Sequence, residues 1–229
     1  MFSFHQVILF IGSIVLLVAF FLSLKIGRRY TNFEPLNNFF IILLISLCLT
    51  INTIFTNVLK YYSVEVGGLL ETVLMTFDFL FWVYFFSVLG IKFMSTKIYK
   101  SALFAFLILM FALIFINYGT TKFYHYSISF FFLAEIFFCI LYIYRIYSEP
   151  SNQMLTKNPI FLIVTGLLIK CVVGIPTLLA SEIMFVANNS KFYLIIFPIS
   201  NVAILFMYIQ FIYAFISIRR DYIHNYKSL

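Results

Sequence analysis

Charged side chains are scarce in this sequence: Lys, Arg, Asp and Glu make up 10% of its 229 residues, against about 25% in a soluble domain. Hydrophobic residues reach 64% and the mean hydropathy is +1.07. A soluble fold of this composition would expose large apolar patches and aggregate. Histidine is also rare: His5, His125 and His224 stand at the N-terminus, at the edge of a span and in the tail, too scattered for one metal site. The three cysteines, Cys48, Cys139 and Cys171, fall inside apolar runs and read as small core hydrophobes rather than a disulfide pair or metal motif. No nucleophile elbow, phosphate-cradling glycine loop or P-loop occurs. The sequence therefore predicts a protein that is not an enzyme and carries no cofactor and no metal.

What fills the chain instead is apolar sequence. Seven stretches are expected to cross a bilayer: 6–24, 39–59, 69–91, 102–118, 124–144, 159–180 and 192–218. Each is about 17 to 27 residues long, close to the ~20 that a helix needs to cross ~30 Å of hydrocarbon. Alternating β-barrel strands would be shorter and half polar. The expected fold is an all-α integral membrane bundle of seven helices forming one domain over residues 1–229. The first span lacks a basic leader and a small-residue cleavage site, and reads as a retained helix.

The net charge of +7 does not point to nucleic acid, because its distribution is that of membrane orientation. Eleven basic residues lie on one side: Lys25, Arg28, Arg29, Lys92, Lys97, Lys100, Arg145, Lys157, Arg219, Arg220 and Lys227. Three lie on the other, Lys60, Lys122 and Lys191. The N-terminus is thus expected outside and the C-terminus in the cytoplasm. The closing RRDYIHNYKSL reads as a short basic tail at anionic headgroups. Asn188-Asn189-Ser190 matches a glycosylation sequon by pattern.

Three spans carry an ionisable residue near mid-depth. Asp78 and Glu135 lie about ten and eleven residues from the outer ends of spans 3 and 5, and Lys170 about eleven from the inner end of span 6, or roughly 15 Å at the rise of an α-helix. Three such charges facing lipid would cost on the order of 10 kcal/mol, so they are expected to face inward, with Lys170 bonded to one or both acids. Two acids and one base leave a formal charge of −1, which one retained proton would cancel within a coupled set. Asp78, Glu135, Lys170 and Glu71 are the candidate ligand or proton site; Glu71 precedes Asp78 by seven residues on the same helix face. Asn52, Asn201 and the single tryptophan, Trp82, are candidate polar lining. A structural role as helix-to-helix glue is the competing reading of every one of these residues.

Gly68–Lys92 (GLLETVLMTFDFLFWVYFFSVLGIK) places acids before a run of aromatics and a basic exit, and Lys157–Pro176 reads KNPIFLIVTGLLIKCVVGIP. Together these resemble a group of small seven-helix bacterial membrane proteins, some of them similar to the membrane portions of sensor kinases. The shared features are an acid amid aromatics in helix 3, here Asp78, and an Asn-Pro-aromatic start to helix 6, here Asn158-Pro159-Ile160-Phe161. The resemblance implies a multi-pass protein of the cytoplasmic (inner) membrane, embedded in the lipid bilayer and serving a membrane or cytoplasmic signalling partner. Lys170 departs from that pattern, which has an apolar or aromatic residue there. The sequence-level alternatives are a small-solute or proton-coupled transporter and a structural subunit of a membrane complex. A retinal protein is disfavoured because span 7 has no lysine. Oligomeric state is not encoded in any of these features.

Overall fold

The computed structural model describes residues 4–27, 34–54, 64–89, 121–148, 158–186 and 190–227. Six long helices appear among them, which we number α1 (Phe4–Leu22), α2 (Phe39–Thr53), α3 (Val64–Val88), α4 (Thr121–Ser148), α5 (Pro159–Val186) and α6 (Ser190–Lys227). A π-helical turn, Ser23–Gly27, continues α1, and a short helical turn, Glu34–Asn37, precedes α2. No strand occurs among the described residues. Four helical segments are long and apolar enough to cross a membrane: Val7–Ile26, Ile128–Ser148, Pro159–Ala180 and Pro198–Arg220. Phe39–Thr53 and Val73–Val88 are shorter apolar helices. The chain is a multi-pass, all-helical membrane bundle. The expected span 102–118 lies outside the described residues, as do Arg28, Arg29, Lys60, Lys92, Lys97, Lys100, Lys157, Asn188 and Asn189.

The outer surface of α1 shows why these helices form and how they sit. Val7, Phe10, Ile11, Ile14, Leu17, Val18 and Phe21 are exposed, while Ile8, Leu16 and Ala19 are buried. An exposed face this apolar is matched to lipid, not to water. The helices contact one another in chain order, α1 on α2, α2 on α3, and so on to α6, which packs back on α1. The result is a closed ring with side chains filling its middle.

Pairs of contacts fix the direction of each helix. Phe79 stacks on Phe131 at 5.0 Å and Phe86 on Phe138 at 5.6 Å, and Arg145 Nη1 donates to the Leu89 carbonyl at 2.7 Å. Residue numbers rise together along the pair, so α3 and α4 run parallel. Phe132 opposite Gly174 and Glu135 opposite Cys171 make α5 antiparallel to α4. Phe39 against Phe215, and Ser46 bonded to Tyr208, make α2 antiparallel to α6.

Local signals explain the helix ends. Asn158 Oδ1 accepts from the Ile160 and Phe161 amides at 2.9 and 3.3 Å, and Pro159 takes the first helical position, where a missing N–H costs nothing. Arg145 satisfies a carbonyl at the C-terminal end of α3, where cations are favourable. Two expectations are corrected. Residues beyond Ile218 are not a tail: α6 continues as helix to Lys227, because nothing in RRDYIHNYK breaks a helix. Cys48 is exposed on α2, while Cys139 and Cys171 are buried, so only the latter two are core cysteines.

Gly166 lets the backbones of α5 and α6 approach closely. A methyl group there would meet Gln210 Cβ at 3.2 Å and the Met207 backbone at 3.4 Å, the small-residue packing common between membrane helices. Gly166→Leu is expected to separate α5 from α6 and cost about 1–3 kcal/mol through overpacking. Thermal melting of the detergent-solubilised variant checks this; an unchanged melting temperature would show that the close approach is not needed.

Candidate functional site

Asp78 on α3, Glu135 on α4 and Lys170 on α5 meet in the middle of the ring, each with less than a tenth of its surface exposed. Lys170 Nζ donates to Asp78 Oδ2 at 3.2 Å and stands 4.0 Å from Glu135 Oε2. The Cys171 thiol donates to that same Glu135 oxygen at 3.0 Å. One cation is thus shared unequally between two acids. The face of Phe132, one turn before Glu135, lies 5.1 Å from Nζ, at cation–π range.

Phe132 is held over Lys170 from behind. Gly174, one turn beyond Lys170, leaves the space that the ring occupies: a methyl at Gly174 would stand 2.5 Å from Phe132 Cε2. The set also extends across the ring. Tyr208 on α6 is buried, shares a hydrogen bond with Ser46 on α2, and lies within electrostatic reach of Lys170 and Asp78. Five helices therefore contribute to one polar layer.

Seven residues are two turns of helix, so a step of seven returns to the same face about 10 Å along the axis. One such step from this layer, toward the end that carries Arg145, Arg219 and Arg220, reaches Phe39, Phe85, Tyr142, Ile163 and Phe215. All five are buried, and four of them show no exposed surface. Phe39 is the hub, with ring centroids 5.0 Å from Phe211, 5.5 Å from Phe215 and 5.9 Å from both Phe81 and Trp82. Edge-to-face packing of this kind excludes water. The charged layer rests on an aromatic plug.

Of the residues picked out by sequence, the structure brings Asp78, Glu135 and Lys170 together. Trp82 packs among the rings of the plug, against Phe39, Phe85 and Phe211; its buried Nε1 has no hydrogen-bond partner among the described residues. Glu71, Asn52 and Asn201 stand away from Lys170, about two turns along their helices from Asp78, Ser46 and Tyr208. Sequence reasoning missed Tyr208, Ser46, Cys171 and Phe132. The first and last are single members of a set of 16 tyrosines and 32 phenylalanines, and neither spacing nor residue type sets them apart from the rest.

No family model matches the chain, and no curated protein or solved structure is significantly similar to it. The Asn158-Pro159 pair that suggested a seven-helix family is accounted for by the N-cap geometry of α5. No group of three or more His, Cys, Asp or Glu residues able to hold a metal occurs among the described residues.

Removing one member of a buried pair leaves an uncompensated charge. Lys170→Ala is expected to cost about 3–5 kcal/mol, and the isosteric Asp78→Asn less, since it keeps a hydrogen-bond acceptor for Nζ. Melting of both variants in detergent tests the ranking; equal, unaltered stability for both would sink the pair. Gly174→Ala should displace Phe132 from Lys170 and cost about 1–3 kcal/mol, and the Phe132→Ala background should abolish that penalty.

Proposed function

We propose that this protein is a non-enzymatic sensor or signalling-accessory subunit of a bacterial cytoplasmic membrane. Ligand arrival at the charged layer moves Lys170 from Asp78 toward Glu135, and the displacement passes through the α5–α6 pair to a partner at the basic end. The observation that carries this reading is a shared buried cation lying directly on an aromatic plug. Such a layer has two electrostatically similar arrangements, and two-state elements of this sort convert a local contact change into helix movement. α6 is suited to transmit it. Its 38 residues give a helix of about 57 Å, well beyond the ~30 Å of hydrocarbon, with Tyr208 beside the charges and Arg219 to Lys227 past the end of the apolar span.

Seven crossings with the N-terminus outside accompany this proposal. Its support is the parallel run of α3 and α4: Leu89 and Thr121 stand at opposite ends of that pair, so the chain between them returns from one end to the other. The intervening sequence includes 102–118, apolar and about as long as a crossing requires.

The competing transporter needs access from both sides, and Phe39, Phe85, Ile163 and Phe215 close one of them. Gentle extraction at native expression level, followed by mass spectrometry, separates the two. A partner that co-purifies with the natural protein and falls at least several-fold with the similarly sized Lys170→Met, in a variant that is extracted as an intact fold, is expected. A protein that is partner-free, and that drives Lys170-dependent solute uptake in liposomes, would establish the transporter instead.

A further inference from the structure

Glu135 is the most deeply buried of the three ionisable residues, with 1% of its surface exposed. A carboxylate so placed is costly unless strong donors surround it, and its donors here are weak. The Cys171 thiol gives Glu135 Oε2 one bond of 3.0 Å, and a thiol is a poor donor. Lys170 Nζ stands 4.0 Å from the same oxygen, beyond hydrogen-bond length. Asp78, by contrast, takes a charge-assisted bond from Nζ at 3.2 Å. α3 and α5 pack on α4, and the charged or titratable groups they turn toward Glu135 are Asp78, Lys170 and Cys171. Its own helix adds Cys139, one turn on. Lys170 is the one cation of that set.

We propose that Glu135 holds a proton on Oε1 at neutral pH, and that this proton, not a second salt bridge, completes the charged layer. Two ionised acids and one ammonium would leave an excess negative charge in hydrocarbon, which is costly; a single proton removes it. The geometry selects the acid and the oxygen. Asp78 has the short bond to Nζ and stays ionised. Both donors near Glu135 converge on Oε2, which makes Oε2 the carbonyl oxygen and leaves Oε1 to carry the proton. The inference rests on the reading of this layer as a ligand site and adds what its movement exchanges. An ammonium gains little from a neutral carboxyl, so Lys170 transfers to Glu135 only as the Oε1 proton leaves. The O–H bond on Glu135 breaks and one forms on Asp78, the acid that Lys170 vacates. Proton and ammonium trade places, and the layer is neutral in both arrangements.

Infrared spectroscopy of the full-length protein in detergent reads the proton directly. A protonated carboxyl has a carbonyl stretch clear of the amide and carboxylate bands. The natural protein at neutral pH is expected to show one that vanishes in Glu135→Gln. Cys171→Ser gives Oε2 a stronger donor and is expected to lower the frequency of that band. A missing band, or one that Cys171→Ser leaves unmoved, overturns the assignment. Melting gives a second answer that does not depend on the Cys171 variant. Glutamine imitates the neutral acid, so Glu135→Gln is expected to melt with the natural protein, while Asp78→Asn melts lower. A loss in Glu135→Gln as large as that in Asp78→Asn would put the negative charge on Glu135 and overturn the assignment as well. Failure of the signalling reading, by contrast, would leave the band and both melting results as they are, since recovery of a partner is read separately.

Discussion

Everything in this bundle is arranged around one ammonium group held in hydrocarbon. Lys170 can occupy mid-depth only because Asp78 bonds it, Glu135 stands within 4.0 Å and the face of Phe132 covers it. A lone lysine there costs ~2.5–3.5 kcal/mol even on a mild insertion scale, and the two acids would cost comparably without it. Each of the three residues comes from a different helix, so satisfying the charges also decides which helices are neighbours. The small residues follow from the same constraint: Gly174 leaves room for Phe132, and Gly166 lets α6 come close enough to bring Tyr208 to the charged layer.

The layers on either side are unlike, and that asymmetry is what turns a structural ion pair into a candidate device. Charges buried symmetrically in apolar surroundings would serve as glue. Here one flank is a dense aromatic plug centred on Phe39, while two turns the other way the same helices carry the half-buried Glu71, Asn201, Thr177 and Thr53. Within the charged layer the degree of freedom is the position of Nζ between two carboxylates. The long, continuous α6 and the Arg145 tie between the ends of α3 and α4 give that local freedom stiff elements through which to act.

Much of this was legible from the sequence because hydrophobic run length and buried charge are strong signals. Spans 1, 5, 6 and 7 are recovered as apolar helices, and Asp78, Glu135 and Lys170 converge as mid-depth arithmetic suggests. What escaped was whatever depends on rotation about the helix axis. Abundant Phe and Tyr hide which few rings form the plug, and helices apolar nearly all round carry little facing information. Cys171 looked like filler because a thiol donates a hydrogen bond only when chance packing brings an acceptor within reach. The helical extension past Ile218 was hidden by its polarity, which marks where lipid ends rather than where the helix ends.

The central claim is energetic: Lys170 and Asp78 stabilise one another inside the bundle. A double-mutant cycle of Asp78→Asn and Lys170→Met, with unfolding free energies measured in one detergent, tests it most directly. The account predicts a coupling of about 1–3 kcal/mol, in the range found for residues in direct contact, with the double variant more stable than Lys170→Met alone. Additive penalties with no coupling would contradict it, and would mean that the two residues do not meet.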